Sequence, residues 1–67
     1  MPYVNIKVTD EEVTTEQKKS LIAGVTRLLV DVLGKDPATT FVVIDEISTE
    51  NWGIGYDSVA DLRKQKS

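Results

Sequence analysis

Pro2, directly behind the initiator methionine, offers the most chemistry in this chain. A small second residue permits removal of Met1, which would leave a secondary amine at the terminus. Unperturbed α-amino groups titrate near about 7.7–8.0. Desolvation or a nearby cation lowers that value and leaves the amine neutral near pH 7. A neutral amine of this kind is a general base matched to its working pH. The ordinary reading is that many chains begin Met-Pro with no function attached. The remaining residue types narrow the field. His and Cys are both 0, which removes imidazole bases, thiol nucleophiles, Ser-His-Asp triads and disulfides, and nearly excludes zinc and iron–sulfur sites. The carboxylate groups Asp10-Glu11-Glu12 and Asp45-Glu46 read as a solvated loop and a strand end, so no metal is expected. Gly53-Ile54-Gly55 lacks the strand-to-helix context of a phosphate loop. Of the two arginines, Arg27 falls mid-helix as a solvated charge, while Arg63 lies in a tail that in an oligomer can fold over a neighbour's site. Trp52 reads as a core or interface anchor. Tyr3 and Tyr56 read as packing residues.

These residues need elements to hold them. In Tyr3–Val8, Val4, Ile6 and Val8 alternate with Tyr3, Asn5 and Lys7, the period of a strand with one buried face. Pro2 at its start is tolerated because that position needs no donor. Thr14-Thr15-Glu16-Gln17 fits a capping box with Thr14 as N-cap. Leu21, Val25, Leu28, Leu29 and Val32 follow at helical spacing, widened by Ile22, Ala23, Val30 and Leu33. Lys18, Lys19, Thr26, Arg27 and Asp31 mark the wet side. Gly34 suits a left-handed cap and Pro37 blocks continuation, giving a helix of about 19 residues, roughly 28 Å long. Gly24 within it reads as a close-packing point. Thr39–Ile47 is β-branched and almost continuously apolar, as in a strand buried on both faces. Strand, helix, strand predicts a β-α-β unit with parallel strands. Trp52–Tyr56 reads as a short hairpin or bulged strand, and the tail 57–67 as a helical turn with a basic end.

The chain has 67 residues, enough for one domain over 1–67. Lys plus Arg is 8 against 11 for Asp plus Glu, a formal charge of −3. That balance argues against non-specific binding to nucleic acid or anionic membrane. No apolar stretch approaches the about 20 residues that span a bilayer, and a cytoplasmic protein is expected. A chain this short hides only about 60% of its unfolded surface. Lacking disulfides and metals, it is expected to gain support by self-association. One helix covers one face of the two-stranded sheet; Val42 and Ile44 lie opposite to Phe41 and Val43, so the second face is apolar too and needs a second subunit.

The MPYVNIKV start, the TTEQKKSLIAGVTRLL helix, the FVVIDEIS strand and the NWGIG turn together resemble the 4-oxalocrotonate tautomerase family, from Met1 to roughly Arg63. The resemblance implies an α+β subunit, a β-α-β unit plus a C-terminal hairpin, assembling as a dimer or trimer of dimers. It implies keto–enol tautomerisation of 2-oxo or 2-hydroxy-dienoate acids with no cofactor. Pro2 would be the catalytic base and acid, Trp52 part of the apolar wall beside it, and Arg63 a candidate substrate contact. Two family arginines that bind and polarise substrate fall at Val13 and Val42, so the anion needs another receiver: Arg63, Lys7 or backbone N–H groups near the hairpin. Alternatives are a non-catalytic oligomerising module on the same scaffold, and hydratase- or dehalogenase-like use of the amine on unsaturated acids.

Overall fold

The computed structural model describes residues 1–66, the side chain of Lys66 excepted; Ser67 and the last side chain of the basic end lie outside the described residues. Alternation in the first segment produces strand β1, Tyr3–Thr9, and the β-branched run produces β2, Phe41–Ile47. They pair in parallel with Tyr3 opposite Phe41, Ile6 opposite Ile44 and Thr9 opposite Ile47. The ladder runs one residue past each end of β1. Phe41 N–H donates to the Pro2 carbonyl at 3.0 Å, and Asp10 N–H donates to the Ile47 carbonyl at 2.8 Å. Thr39, expected in β2, instead closes a 3-10 turn, Pro37–Thr39, capped by Asp36.

The crossover is helix α1, Thr15–Leu33, of the length the spacing predicts. Thr14 Oγ1 accepts from Gln17 N–H at 3.1 Å and Gln17 Oε1 accepts from Thr14 N–H at 2.9 Å, so the capping box is complete. Gly34 closes the helix at φ 64, returning its N–H to the Leu29 and Val30 carbonyls. Because the box satisfies donors that the helix itself cannot, Thr14→Ala is expected to cost about 1 kcal/mol. Denaturant midpoints at one fixed protein concentration check this.

Salt bridging fixes which sheet face α1 covers. Lys18 Nζ reaches Glu46 Oε2 at 2.6 Å, so Glu46 points to the helix, and alternation sends Val42 and Ile44 of β2 with it. The register then adds Val4, Ile6 and Val8. All five of these apolar side chains are half-buried, as are Val25, Leu29 and Val30 of α1. Lys18 and Thr26 are half-buried too, so they border the covered side instead of the wet one. Gly24 is not a close-packing point within the chain, since a Cβ there would meet nothing within 4 Å.

The opposite sheet face is open. Tyr3 is 64%, Phe41 52% and Val43 43% exposed, so β2 is covered on one side only, where its composition suits cover on both. Leu28, Val32 and Leu33 of α1 are also exposed. Val59 is the one buried hydrophobic among the described residues. The radius of gyration is 15.6 Å, with extents of 46 × 25 × 15 Å, whereas a compact chain of this length has about 11 Å. A single copy therefore has the secondary structure of a domain without its interior.

The C-terminal segment begins with a 3-10 turn, Thr49–Asn51, capped by Ser48. Strands β3, Gly53–Ile54, and β4, Asp57–Ser58, form the expected hairpin. Gly55 takes φ 63 at the first turn position, the conformation that suits a two-residue hairpin loop and that glycine adopts at least cost. Tyr56, expected to pack, is instead fully exposed at the turn tip. Helix α2, Val59–Lys66, is longer than a single turn; Ser58 Oγ accepts from Asp61 N–H at its start. No helix among the described residues is long and apolar enough to cross a membrane.

Candidate active site

Pro2 sits half-buried at the head of β1, its carbonyl tied to β2 through Phe41 N–H. Met1 ahead of it is 87% exposed. With Met1 attached, the Pro2 nitrogen is a peptide nitrogen without a basic lone pair. Removing Met1 would leave the ladder bond from Phe41 N–H to the Pro2 carbonyl in place.

Trp52 and Arg63 belong to the other end of the sheet. Trp52 follows the tail of β2 by five residues, three of them coiled in the 3-10 turn. Its N–H donates to the Thr49 carbonyl and its carbonyl accepts from Val59 N–H at 2.7 Å, so its backbone is held between the turn and the first residue of α2. One turn further along α2, Arg63 Nη1 donates to Glu11 Oε1 in the loop just beyond β1. The seven residue-to-residue steps from Pro2 to Thr9 span about 23 Å at roughly 3.3 Å each. One chain thus brings Arg63 together with Glu11, on the same C-terminal unit as Trp52, and leaves Pro2 at the opposite end.

The charges near this sheet are matched in pairs. Lys7 Nζ lies 3.0 Å from Asp45 Oδ2 on the open face, and Asn5 Nδ2 donates to the same oxygen at 2.9 Å. The Asn5 amide first, and the Lys7 ammonium second, hold the Asp45 carboxyl below its usual range. Glu11 is engaged at both oxygens. Oε1 takes the Arg63 guanidinium and Oε2 takes the Thr9 hydroxyl, and these donors, Arg63 foremost, lower its carboxyl pKa. Glu11 in turn raises the pKa of Arg63. Glu11 in the loop and Asp45 and Glu46 at the strand end thus each carry an ion pair, while Asp10, Glu11 and Glu12 are all exposed, as a solvated loop requires.

Glu12 adopts φ 63 in the same loop, a left-handed conformation uncommon for a residue other than glycine, and Val13 follows it half-buried. Val13 lines a concavity with Glu16, Gln17, Ser20 and Leu21. A second concavity runs along α1 from Ala23 to Asp31 and ends at Pro37. Neither includes Pro2, Trp52 or Arg63. Arg27 is exposed on α1, as a solvated charge should be. Sequence spacing alone did not reveal Glu11 as the partner of Arg63, because the two lie 52 positions apart.

Comparison with known proteins agrees with this architecture. A family model described as "Tautomerase enzyme" matches residues 2–62. The chain is 66% identical, over the full length of both, to "Probable tautomerase K2" of Dickeya dadantii (strain 3937). It is 39% identical over 62 residues, covering 92% of this chain and 97% of the relative, to a "2-hydroxymuconate tautomerase" of Comamonas testosteroni. Among solved structures, the crystal structure of DmpI from Helicobacter pylori superposes with a TM-score of 0.85 at 46% identity, covering 94% of this chain and 97% of that one.

Proposed function

The chain belongs to the tautomerase family of isomerases, and from that premise we propose that it interconverts keto and enol forms of 2-oxo acids with the Pro2 amine as its proton carrier. After Met1 is removed, the neutral amine takes a proton from the enol hydroxyl and, as an ammonium, returns one to carbon. The substrate ends as the ketone and the amine as it began, so no co-reactant is needed. The observation that carries this reading is the placement of Pro2: fixed at a strand head by its own carbonyl, behind an exposed Met1.

The amine needs a sheltered setting to stay uncharged near neutral pH, and one copy does not supply it. The open sheet face and the Trp52-bearing end of a second copy are what is available to enclose it. In this reading each pocket is shared: Pro2 comes from one protomer and Trp52 from a partner. An assembly of this kind also covers Tyr3, Phe41 and Val43, which a single copy leaves exposed. Valine at positions 13 and 42 leaves the site without the two cations the resemblance leads one to expect.

The test combines intact mass with a spectrophotometric assay of two enols, 2-hydroxymuconate and the enol of phenylpyruvate. Protein shown by mass to lack Met1 is expected to ketonise at least one of them well above the buffer rate. Processed protein that leaves both at the buffer rate would overturn the reading.

A further inference from the structure

Three cations flank the sheet, and each faces a carboxylate: Lys7 with Asp45, Lys18 with Glu46, Arg63 with Glu11. The third pair is placed differently from the others. Arg63 rides on α2, whose first residue binds the Trp52 carbonyl, so a C-terminal unit that brought Trp52 to a partner's Pro2 would carry Arg63 and its attached Glu11 with it. The pair is solvated, with side-chain exposures of 55% for Arg63 and 44% for Glu11. Exposed ion pairs hold folds together only weakly, so stability alone gives little reason for the contact. Its chemical effect is larger. A guanidinium free to bind would take a carboxylate through charge-assisted hydrogen bonds, and this one already holds Glu11.

We infer that Glu11 sets the charge class of the substrate: by occupying Arg63 it confines the site to enol acids with one carboxylate and turns away those with two. The inference rests on the shared-pocket reading above. The Thr9 hydroxyl on the second oxygen of Glu11 keeps the carboxylate oriented toward Arg63. A glutamate is ionised at neutral pH in any case, and Arg63 and Thr9 hold the Glu11 carboxyl lower still, so the neutralisation does not lapse in the neutral range.

Glu11→Gln releases Arg63 while preserving side-chain size and an oxygen for Thr9. Calorimetry with unreactive adipate and hexanoate, a diacid and a monoacid of equal length, measures the preference without any turnover. Glu11→Gln is expected to raise adipate affinity relative to hexanoate about tenfold, the scale of one hydrogen bond to a charged group. The ratio of kcat/KM for 2-hydroxymuconate over the phenylpyruvate enol should rise similarly, through KM. Adding Arg63→Gln should return both ratios to the wild-type values. A Glu11→Gln binding ratio equal to wild type, or no adipate binding at all, would overturn the inference. So would a gain that survives in the double variant, since it would come from the lost negative charge and not from Arg63. A merely structural role would lower the unfolding midpoint of both variants and leave the ratios alone. Failure of the tautomerase reading appears separately, as absent turnover with the binding ratios still measurable.

Discussion

Pro2→Leu is expected to reduce kcat/KM for enol ketonisation by about 10²–10⁴-fold, the usual contribution of a positioned acid–base group. A bulky second residue retains Met1, so the nitrogen at the head of β1 stays in a peptide bond and has no proton to carry. The fold should not register the change. Proline contributes no N–H to the ladder, and the bond from Phe41 N–H to the carbonyl of residue 2 is available to any side chain. Pro2→Ala is the informative companion. It still permits loss of Met1 and leaves a primary amine without the fixed φ of the ring, so its rate should fall between wild type and Pro2→Leu. Intact mass establishes the state of each terminus and circular dichroism the fold. Equal rates for wild type and Pro2→Leu would remove the terminal amine from the mechanism.

Phe41→Asp is expected to abolish assembly and, with it, folding. Phe41 is 52% exposed on a sheet face shared with Tyr3 and Val43. Once that face is covered, losing a buried aromatic costs about 3–5 kcal/mol, and an unpaired buried carboxylate adds several more. Domains are stable by only about 5–15 kcal/mol in total. Sedimentation should show no oligomer, and thermal unfolding should lose its cooperative step. Lys19→Gln, on the exposed side of α1, should leave both intact. The wild-type midpoint should rise with protein concentration, as mass action requires when folding and association are linked. A Phe41→Asp chain that sediments and unfolds like wild type would contradict this account.

The elements were legible because their signals are local. Alternation gave β1, Thr14 and Gln17 gave the start of α1, Gly34 its end, and Gly55 the hairpin turn. Even the open face could be read, since Phe41 and Val43 fall out of phase with Val42 and Ile44. Contacts between distant segments were less accessible. Nothing local distinguishes Lys18 from Lys19, yet Lys18 alone of the two reaches Glu46, because which side of the apolar stripe meets the sheet depends on how α1 rolls. Glu11 looked like one acid among three until the fold brought α2 beside it. Tyr56 shows the opposite failure: an aromatic flanked by turn residues invites a packing role, but the tight hairpin leaves it no surface to pack on. Pro2 stood out by its position along the chain alone, and the fold sets it half-buried at the head of β1. How Pro2 and the C-terminal unit could meet was not legible, because the sheet's length keeps them apart in one copy.

Val59 stands alone as a buried hydrophobic among the described residues, and this has consequences inside a cell. A chain leaving the ribosome has almost no interior to fold around until it meets a sibling, so maturation is a second-order event. Orphan chains present main-chain strands and apolar side chains to proteases, and their survival depends on how quickly they find company. Steady-state activity should therefore climb more steeply than synthesis rate when the gene is weakly expressed and approach proportionality when siblings are plentiful.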